Sequence, residues 1–282
     1  MEKKYKLTKE TINVFNKTLY RIEALRDFND VKKGDKGGFV EKEDNLSQSD
    51  NCWVYGNAKV FGNAKVFGNA EVYDNAKVYG NAVVYGNAEV YDNAKVYGNA
   101  VVYDNVMVCD DAIVCDNAVV YGIAWVFDNA RVRGNARVFG NARVRNNAHV
   151  YGNARVFDKA KVYGNAEIFD DAKIYDDAKI YGLAWVYRNA EVCGSAEVCG
   201  DARICADAKV ESNGDYIVFK NWWSSGRYFT WTKSNDMWKV GCFYGTGKEL
   251  IDKAYRDSEI SGREYERIVK YVETINNDLE IM

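Results

Sequence analysis

The sequence predicts an all-β solenoid of about nine triangular coils, with an N-terminal cap and a small C-terminal α+β domain. Three observations predict it. Stepping by six from Val54 to Val210 meets Val or Ile at all twenty-seven positions. Two residues before each of them sits Ala, except at Cys52 and Val106. The stretch AEVYDNAKVYGNAVVYGN, residues 70–87, returns at 88–105 with only Gly86 changed, to Asp104.

Written as a unit, the pattern is Ala-x-Val-Tyr-Gly-Asn. Four residues alternate inward and outward with the period of a strand. Gly-Asn then turns the chain, both residues being tolerant of positive φ. One Ala and one Val per strand bury too little to stand alone, so neighbouring units must stack to make a core. Three units close an eighteen-residue triangle, and the duplicated stretch is one whole coil. Nine coils at roughly 4.8 Å spacing make a prism about 43 Å long. The chain has no proline, as suits a ladder that uses every N–H.

The elements follow in order. Residues 1–51 are expected to cap the open apolar end of the prism. Within them TLYRIEALRDF alternates as a strand, and KKGDKGGFV reads as a turn leading into the first coil. Residues 52–213 form the repeat. After Val210, ESNGD breaks the pattern, and residues 214–282 read as a separate domain. Three short strands with turns at SSG and SND precede two helices. Each helix opens on an apparent capping box, Thr246 with Glu249 and Ser261 with Glu264. At about seventy residues this domain has a marginal core and is expected to dock on the last coil or on another subunit.

Composition narrows the function classes. A net charge of −3 in 282 residues gives no whole-protein argument for nucleic acid or anionic membranes. The N-terminus lacks a signal-peptide core, and no apolar run is long enough for a membrane helix, so a cytoplasmic location is expected. Cys109, Cys115, Cys193, Cys199 and Cys205 occupy outward positions, and none lies eighteen residues from another. Free thiols, including Cys52 and Cys242, fit a reducing compartment. No thiolate metal spacing is present, and neither a metal site nor a cofactor is read from the chain.

The Ala58-x-Val60 pairing and its repeats resemble the hexapeptide-repeat proteins, whose fold is a left-handed parallel β-helix; the left hand is implied by this resemblance alone. The opening GGFVEKEDNLSQSDNCWVYGNA is similar to hexapeptide-repeat proteins encoded by phages and prophages of Gram-positive bacteria. Well-known members of the wider family are acyltransferases, which use a histidine at a cleft between subunits, and carbonic anhydrases, which hold zinc with three histidines. This chain has one histidine, His149, at an outward x position, and no loop interrupts the repeat. A three-histidine zinc site is therefore excluded, and His149 reads as a solvated face residue. The expectation from these features is that the chain is not an enzyme.

The outward positions carry the remaining expectations. Aromatic columns such as Tyr55, Tyr73 and Tyr91 either stabilise the stack or offer platforms for a ligand. Val83, Val101 and Val119 form one apolar column, Met107 and Trp125 another, and Ile113 sits on the third face of the same coils; these residues are expected to dock a terminal segment or, as favoured, a second copy. Arg131, Arg133, Arg137, Arg143, Arg145 and Arg155 form a positive belt without an acid among them, suited to phosphate or carboxylate. Asp74, Asp92, Asp110 and Asp128 recur at one turn as an acidic column. In the tail, Trp222, Trp223 and Arg227 are the expected partner contacts. The function expected is a homo-oligomeric scaffold that binds a host protein, such as a defence component, or sequesters a nucleotide-like anion. The alternatives are a nucleic-acid-binding protein using the arginines and a hexapeptide acyltransferase dependent on His149.

Overall fold

The computed structural model describes residues 3–281. Its centre is a three-sided β-solenoid of about ten turns. Two-residue strands β4 to β30, from Trp53–Val54 to Lys209–Val210, supply the twenty-seven rungs. They fall into three nine-rung parallel faces. Face 1 carries Trp53, Glu71, Glu89, Met107, Trp125, Arg143, Lys161, Lys179 and Glu197 at its outward x positions. Face 2 runs through Lys59, Lys77, Lys95, Ile113, Arg131, His149, Glu167, Trp185 and Arg203. Face 3 runs from Lys65 to Lys209 by way of Val83, Val101 and Val119.

Each coil hydrogen-bonds to the next with a fixed offset of seventeen residues. Lys59, Phe61 and Asn63 donate their N–H groups to Ala76, Val78 and Gly80 at 2.9, 3.0 and 2.7 Å, and the pattern repeats along the prism. The inward Val, Ile and Ala side chains are buried from end to end. Outside, rings stack with centroids about 5 Å apart, as in the column Phe67, Tyr85, Tyr103, Tyr121, Phe139, Phe157 and Tyr175.

The corners divide labour differently from the sequence expectation. Positive φ falls on the Gly position alone, every sixth residue from Gly56 to Ala206. The following Asn keeps an ordinary backbone and uses its side chain instead. Asn63, Asn81, Asn99, Asn117, Asn135 and Asn153 form an amide ladder, each Nδ2 donating to the Oδ1 eighteen residues on at 2.9–3.2 Å. Where Asp replaces Gly, its carboxylate accepts the N–H of the next corner at every such position but Asp74 and Asp158. Asp110 takes the N–H of Asp128 at 3.0 Å, and Asp128 that of Asn146 at 3.0 Å. The acidic column is thus tied into the backbone from Asp92 onward.

At the N-terminal end, β1 (Tyr5–Val14) and β2 (Lys17–Ala24) form an antiparallel hairpin. The segment read as a turn is instead strand β3 (Lys36–Val40), which pairs with Lys59–Val60 in parallel and begins a partial tenth coil. Leu46 continues that coil by bridging Val66. Gly37 and Gly38 permit the crossing: a Cβ on Gly37 would stand 2.6 Å from Ile22 Cγ1, and one on Gly38 would stand 2.5 Å from the Ala58 carbonyl. Tyr5 and Phe28 pack edge-on against buried Trp53 and seal the apolar end.

The C-terminal domain has four strands, not three: β31 (Tyr216–Lys220), β32 (Tyr228–Thr232), β33 (Met237–Val240) and β34 (Phe243–Gly245). Helix α1 (Gly247–Asp257) starts from the expected Thr246–Glu249 box. Helix α2 (Glu259–Ile281) begins before Ser261, and the Ser258 hydroxyl instead accepts the Ser261 N–H at 3.1 Å. This domain closes the prism. The last coil offers one strand N–H per face with no further coil to receive it. Glu197 N donates to Asn213 Oδ1 (2.7 Å), Arg203 N to Thr230 Oγ1 (3.0 Å) and Lys209 N to Ser234 Oγ (2.7 Å).

Two stability results follow. Thr230 is buried, so Thr230→Val leaves the Arg203 N–H without a partner and costs about 1–3 kcal/mol. Hydrogen exchange at Arg203 should rise sharply, and unchanged protection would contradict this account of the cap. Ala206 holds φ +58° where glycine is preferred. Ala206→Gly should stabilise by about 0.5–1 kcal/mol in urea unfolding, the left-handed strain outweighing the greater chain entropy of Gly.

Candidate functional site

The flat faces raise no loops, so any site must form between columns of side chains. On face 2 such a groove of about 310 Å³ is lined by Tyr97, Ile113, Cys115, Asp116, Arg131, Arg133 and His149. Three of these, Ile113, Arg131 and His149, are successive x residues in register. Tyr97, Cys115 and Arg133 are the outward residues two positions after successive x residues of the same face. The periodicity that builds the fold therefore also fixes the spacing of the groove, one residue of each column per rung.

His149 is half-buried between Arg131 and Glu167, its in-register neighbours. Burial is the main influence holding its imidazole below the usual pKa of 6.5, and Arg131 is the next. Glu167 acts in the opposite sense, and Arg133 adds to the lowering. The Tyr151 hydroxyl engages Glu167 Oε2 at 2.9 Å, and the Arg133 guanidinium lies over the Tyr151 ring at 4.7 Å. These contacts fix the positions of Arg133 and Glu167 around a neutral imidazole. Cys115 is buried, and burial raises its pKa, so it remains a thiol. A neutral imidazole beside two guanidinium groups can accept a proton from one reactant while the cations hold an anion.

The other expected site residues are spread over the prism. The arginines do wrap around it: Arg131 and Arg133 belong to face 2, Arg137 and Arg155 are adjacent on face 3, and Arg143 lies on face 1. Arg143 stacks on Trp125 at 4.9 Å, and Arg145 on Tyr163 at 5.0 Å. Among the described residues none of the six is in an ion pair with a carboxylate. Val83, Val101 and Val119 form one half-buried column on face 3, whereas Met107 and Trp125 lie on face 1 and Ile113 on face 2. Trp222 and Trp223 are 73% and 78% exposed on the turn between β31 and β32. Buried Asn221 holds that turn by accepting the N–H groups of Trp223 and Ser224 at 3.0 and 3.1 Å. Arg227 closes it through its carbonyl, which accepts the Asn221 N–H at 2.9 Å.

Two lysines that the arginine-based reading passed over, Lys159 and Lys161, join Arg143 in a second groove on face 1. Aligning the chain at eighteen-residue spacing would have found them, because Lys161 stacks directly on Arg143. Among the described residues no helix is long and apolar enough to cross a membrane.

The single histidine makes one prediction clean. The His149 Cε1 proton should titrate in NMR with a midpoint below 6.5, moving upward in Arg131→Gln. The folded state refuses a proton that the unfolded chain accepts, so stability is complete above about pH 6.5 and falls as pH drops through that value. His149→Gln should flatten this dependence. A midpoint at or above 6.5 would contradict the burial account.

No family model matches the chain. A stretch of 40 residues is 48% identical to the uncharacterized acetyltransferase YdcK of Escherichia coli (strain K12). That stretch is 14% of this chain and 12% of the relative's length. The likeness overturns the expectation that the chain is not an enzyme. That expectation rested on a single histidine and an uninterrupted repeat, yet a loop-free face still gathers His149 and two arginines in one groove. The chain is thus a β-solenoid built on six-residue repeats that is similar, over that short stretch, to an acetyltransferase.

Proposed function

We propose that the chain is an acyltransferase that works in the face-2 groove. Arg131 and Arg133 would bind the phosphates of an acyl-thioester donor such as acetyl-CoA, since guanidinium groups suit the forked contacts of phosphate oxygens. His149 would act as the base. It accepts the proton of an acceptor hydroxyl or amine, whose oxygen or nitrogen attacks the thioester carbonyl. The carbon–sulfur bond then breaks, and the leaving thiolate takes the proton from the imidazolium. The observation that carries the reading is His149 itself, a half-buried imidazole whose surroundings favour the neutral form. A base must be unprotonated to begin the step, and a lowered pKa keeps it so across neutral pH. The acetyltransferase likeness supports the reaction class. Ile113 and Tyr97 give the groove an apolar side against which an acyl or acceptor group could lie.

Thiol release from acetyl-CoA in the presence of a panel of amines and alcohols tests the reading. His149→Ala should lower kcat by about 10²- to 10⁴-fold with KM for the donor little changed. Arg131→Ala with Arg133→Ala should mainly raise KM. Turnover that is indifferent to His149→Ala would defeat the assignment, as would failure of the native protein to bind acetyl-CoA.

A further inference from the structure

A groove on face 1 lies apart from the histidine. It offers about 560 Å³ of open groove and is lined by Asn141, Arg143, Lys159, Lys161, Asp177, Lys179, Ser195 and Glu197. Two columns make it. The x column stacks Arg143, Lys161 and Lys179 in register, three cations on successive rungs. The corner column ahead of it runs Asn141, Lys159, Asp177 and Ser195.

Like charges directly opposite one another in a ladder repel, and in the last coils the prism relieves this by pairing opposite signs. Lys173 is met by Glu191 at 2.7 Å, and Lys179 by Glu197 at 2.6 Å. Arg143 and Lys161, like Lys59, Lys77 and Lys95 on face 2, have no such relief, but here a groove is present and Lys159 adds a third cation to it from the same coil as Lys161. Among the described residues these three have no carboxylate partner, while Glu197 is taken up by Lys179 and by the Tyr181 hydroxyl at 3.4 Å. Stacking on Trp125 occupies one face of the Arg143 guanidinium and orients it, leaving its N–H edge for an acceptor. Rungs about 4.8 Å apart set cations at a spacing that one compact, multiply charged anion can span.

We propose that this groove binds a diphosphate group. A diphosphate carries about three negative charges near neutral pH and matches the three uncompensated cations. Its oxygens would be shared between Arg143 and Lys161 on adjacent rungs and Lys159 at the corner, with the Asn141 amide as a neutral donor. Asp177, one rung beyond Lys159, repels the anion from the Lys179 end and so defines where the site stops. The group is supplied either by inorganic pyrophosphate or by a nucleoside diphosphate. In the second case the nucleoside reaches toward Trp125, which is 37% exposed on the rung before Arg143. This site is independent of acyl transfer at His149.

Isothermal titration of the full chain with sodium pyrophosphate and with ADP, at low and at high salt, tests it. Saturable binding that weakens with salt is expected, with affinity lowered roughly tenfold or more in Lys159→Ala/Lys161→Ala. Asp177→Asn should tighten it. Arg131→Ala and His149→Ala should leave it unchanged, which separates this site from the face-2 groove. Equal affinity for the two probes assigns the site to the diphosphate alone. Tighter ADP binding that falls to the pyrophosphate level in Trp125→Ala assigns it to a nucleotide. No binding of either probe at millimolar concentration would overturn the proposal, as would binding that the lysine double variant retains in full.

Discussion

Everything in this molecule depends on the hydrogen-bond ladder between one coil and the next. A hexad buries one Val and one Ala, far too little to hold a two-residue strand in place. The offset of seventeen residues, repeated along the prism, brings each hexad between two near-copies of itself. Every outward side chain then meets a neighbour of the same structural class. Rings meet rings in register, amides meet amides, and in the Asn ladder each Nδ2 donates to the Oδ1 of the next coil. The constraint has a cost as well: a charged x residue also meets its counterpart one rung away, so the sign of each column must be managed residue by residue.

The ladder also demands that its two ends be closed by different means. At the start, apolar cross-section is the problem, and Tyr5, Phe28 and Trp53 cover it. At the finish, three strand N–H groups are left over, and side-chain oxygens of Asn213, just past the last rung, and of Thr230 and Ser234 in the C-terminal domain take one each. That domain therefore has a structural duty on the prism whatever the exposed tryptophans of its first turn do. Its own core, in which Phe229 packs edge-on against both Trp238 and Tyr265, is separate from the core of the solenoid.

Much of this was legible in the sequence because the repeat states its own register. Val54 to Val210, the three-sided coil and the aromatic columns follow from counting in sixes and eighteens. What was not legible depends on non-local partners. Glycine and asparagine both tolerate positive φ, and only the stacking of Asn side chains separates their roles. Strand β1 is largely exposed and broken by a register shift between Leu7 and Thr11, so its alternation is weak. Strand β34 is three residues long, and Ser258 caps α2 in place of the equally plausible Ser261. Asn213, Thr230 and Ser234 carry no local sign that they finish a ladder begun elsewhere. For the sites, the arginines stood out as a residue type, while Lys159 and Lys161 emerged only from register.

A surface built this way limits what kind of site it can hold. With no inserted loop, a ligand cannot be enclosed, and recognition has to come from two parallel columns and the shallow groove between them. Such a groove is poor at excluding water, so its chemistry must rely on groups whose charge state is set by their neighbours. His149 fits that requirement, since its neighbours on the adjacent rungs, Arg131 and Glu167, are fixed by the ladder itself. The face-1 groove is built in the same way, its cations being stacked by the rule that stacks the core. In both places a single substitution eighteen residues away alters the electrostatics of the site as directly as a change in the site residue. The sharp change of the x residues between coils, apolar around Met107 to Val119, basic from Arg131 to Lys161 and mixed beyond, is therefore the level at which this repeat encodes function. The hexad itself encodes only the scaffold.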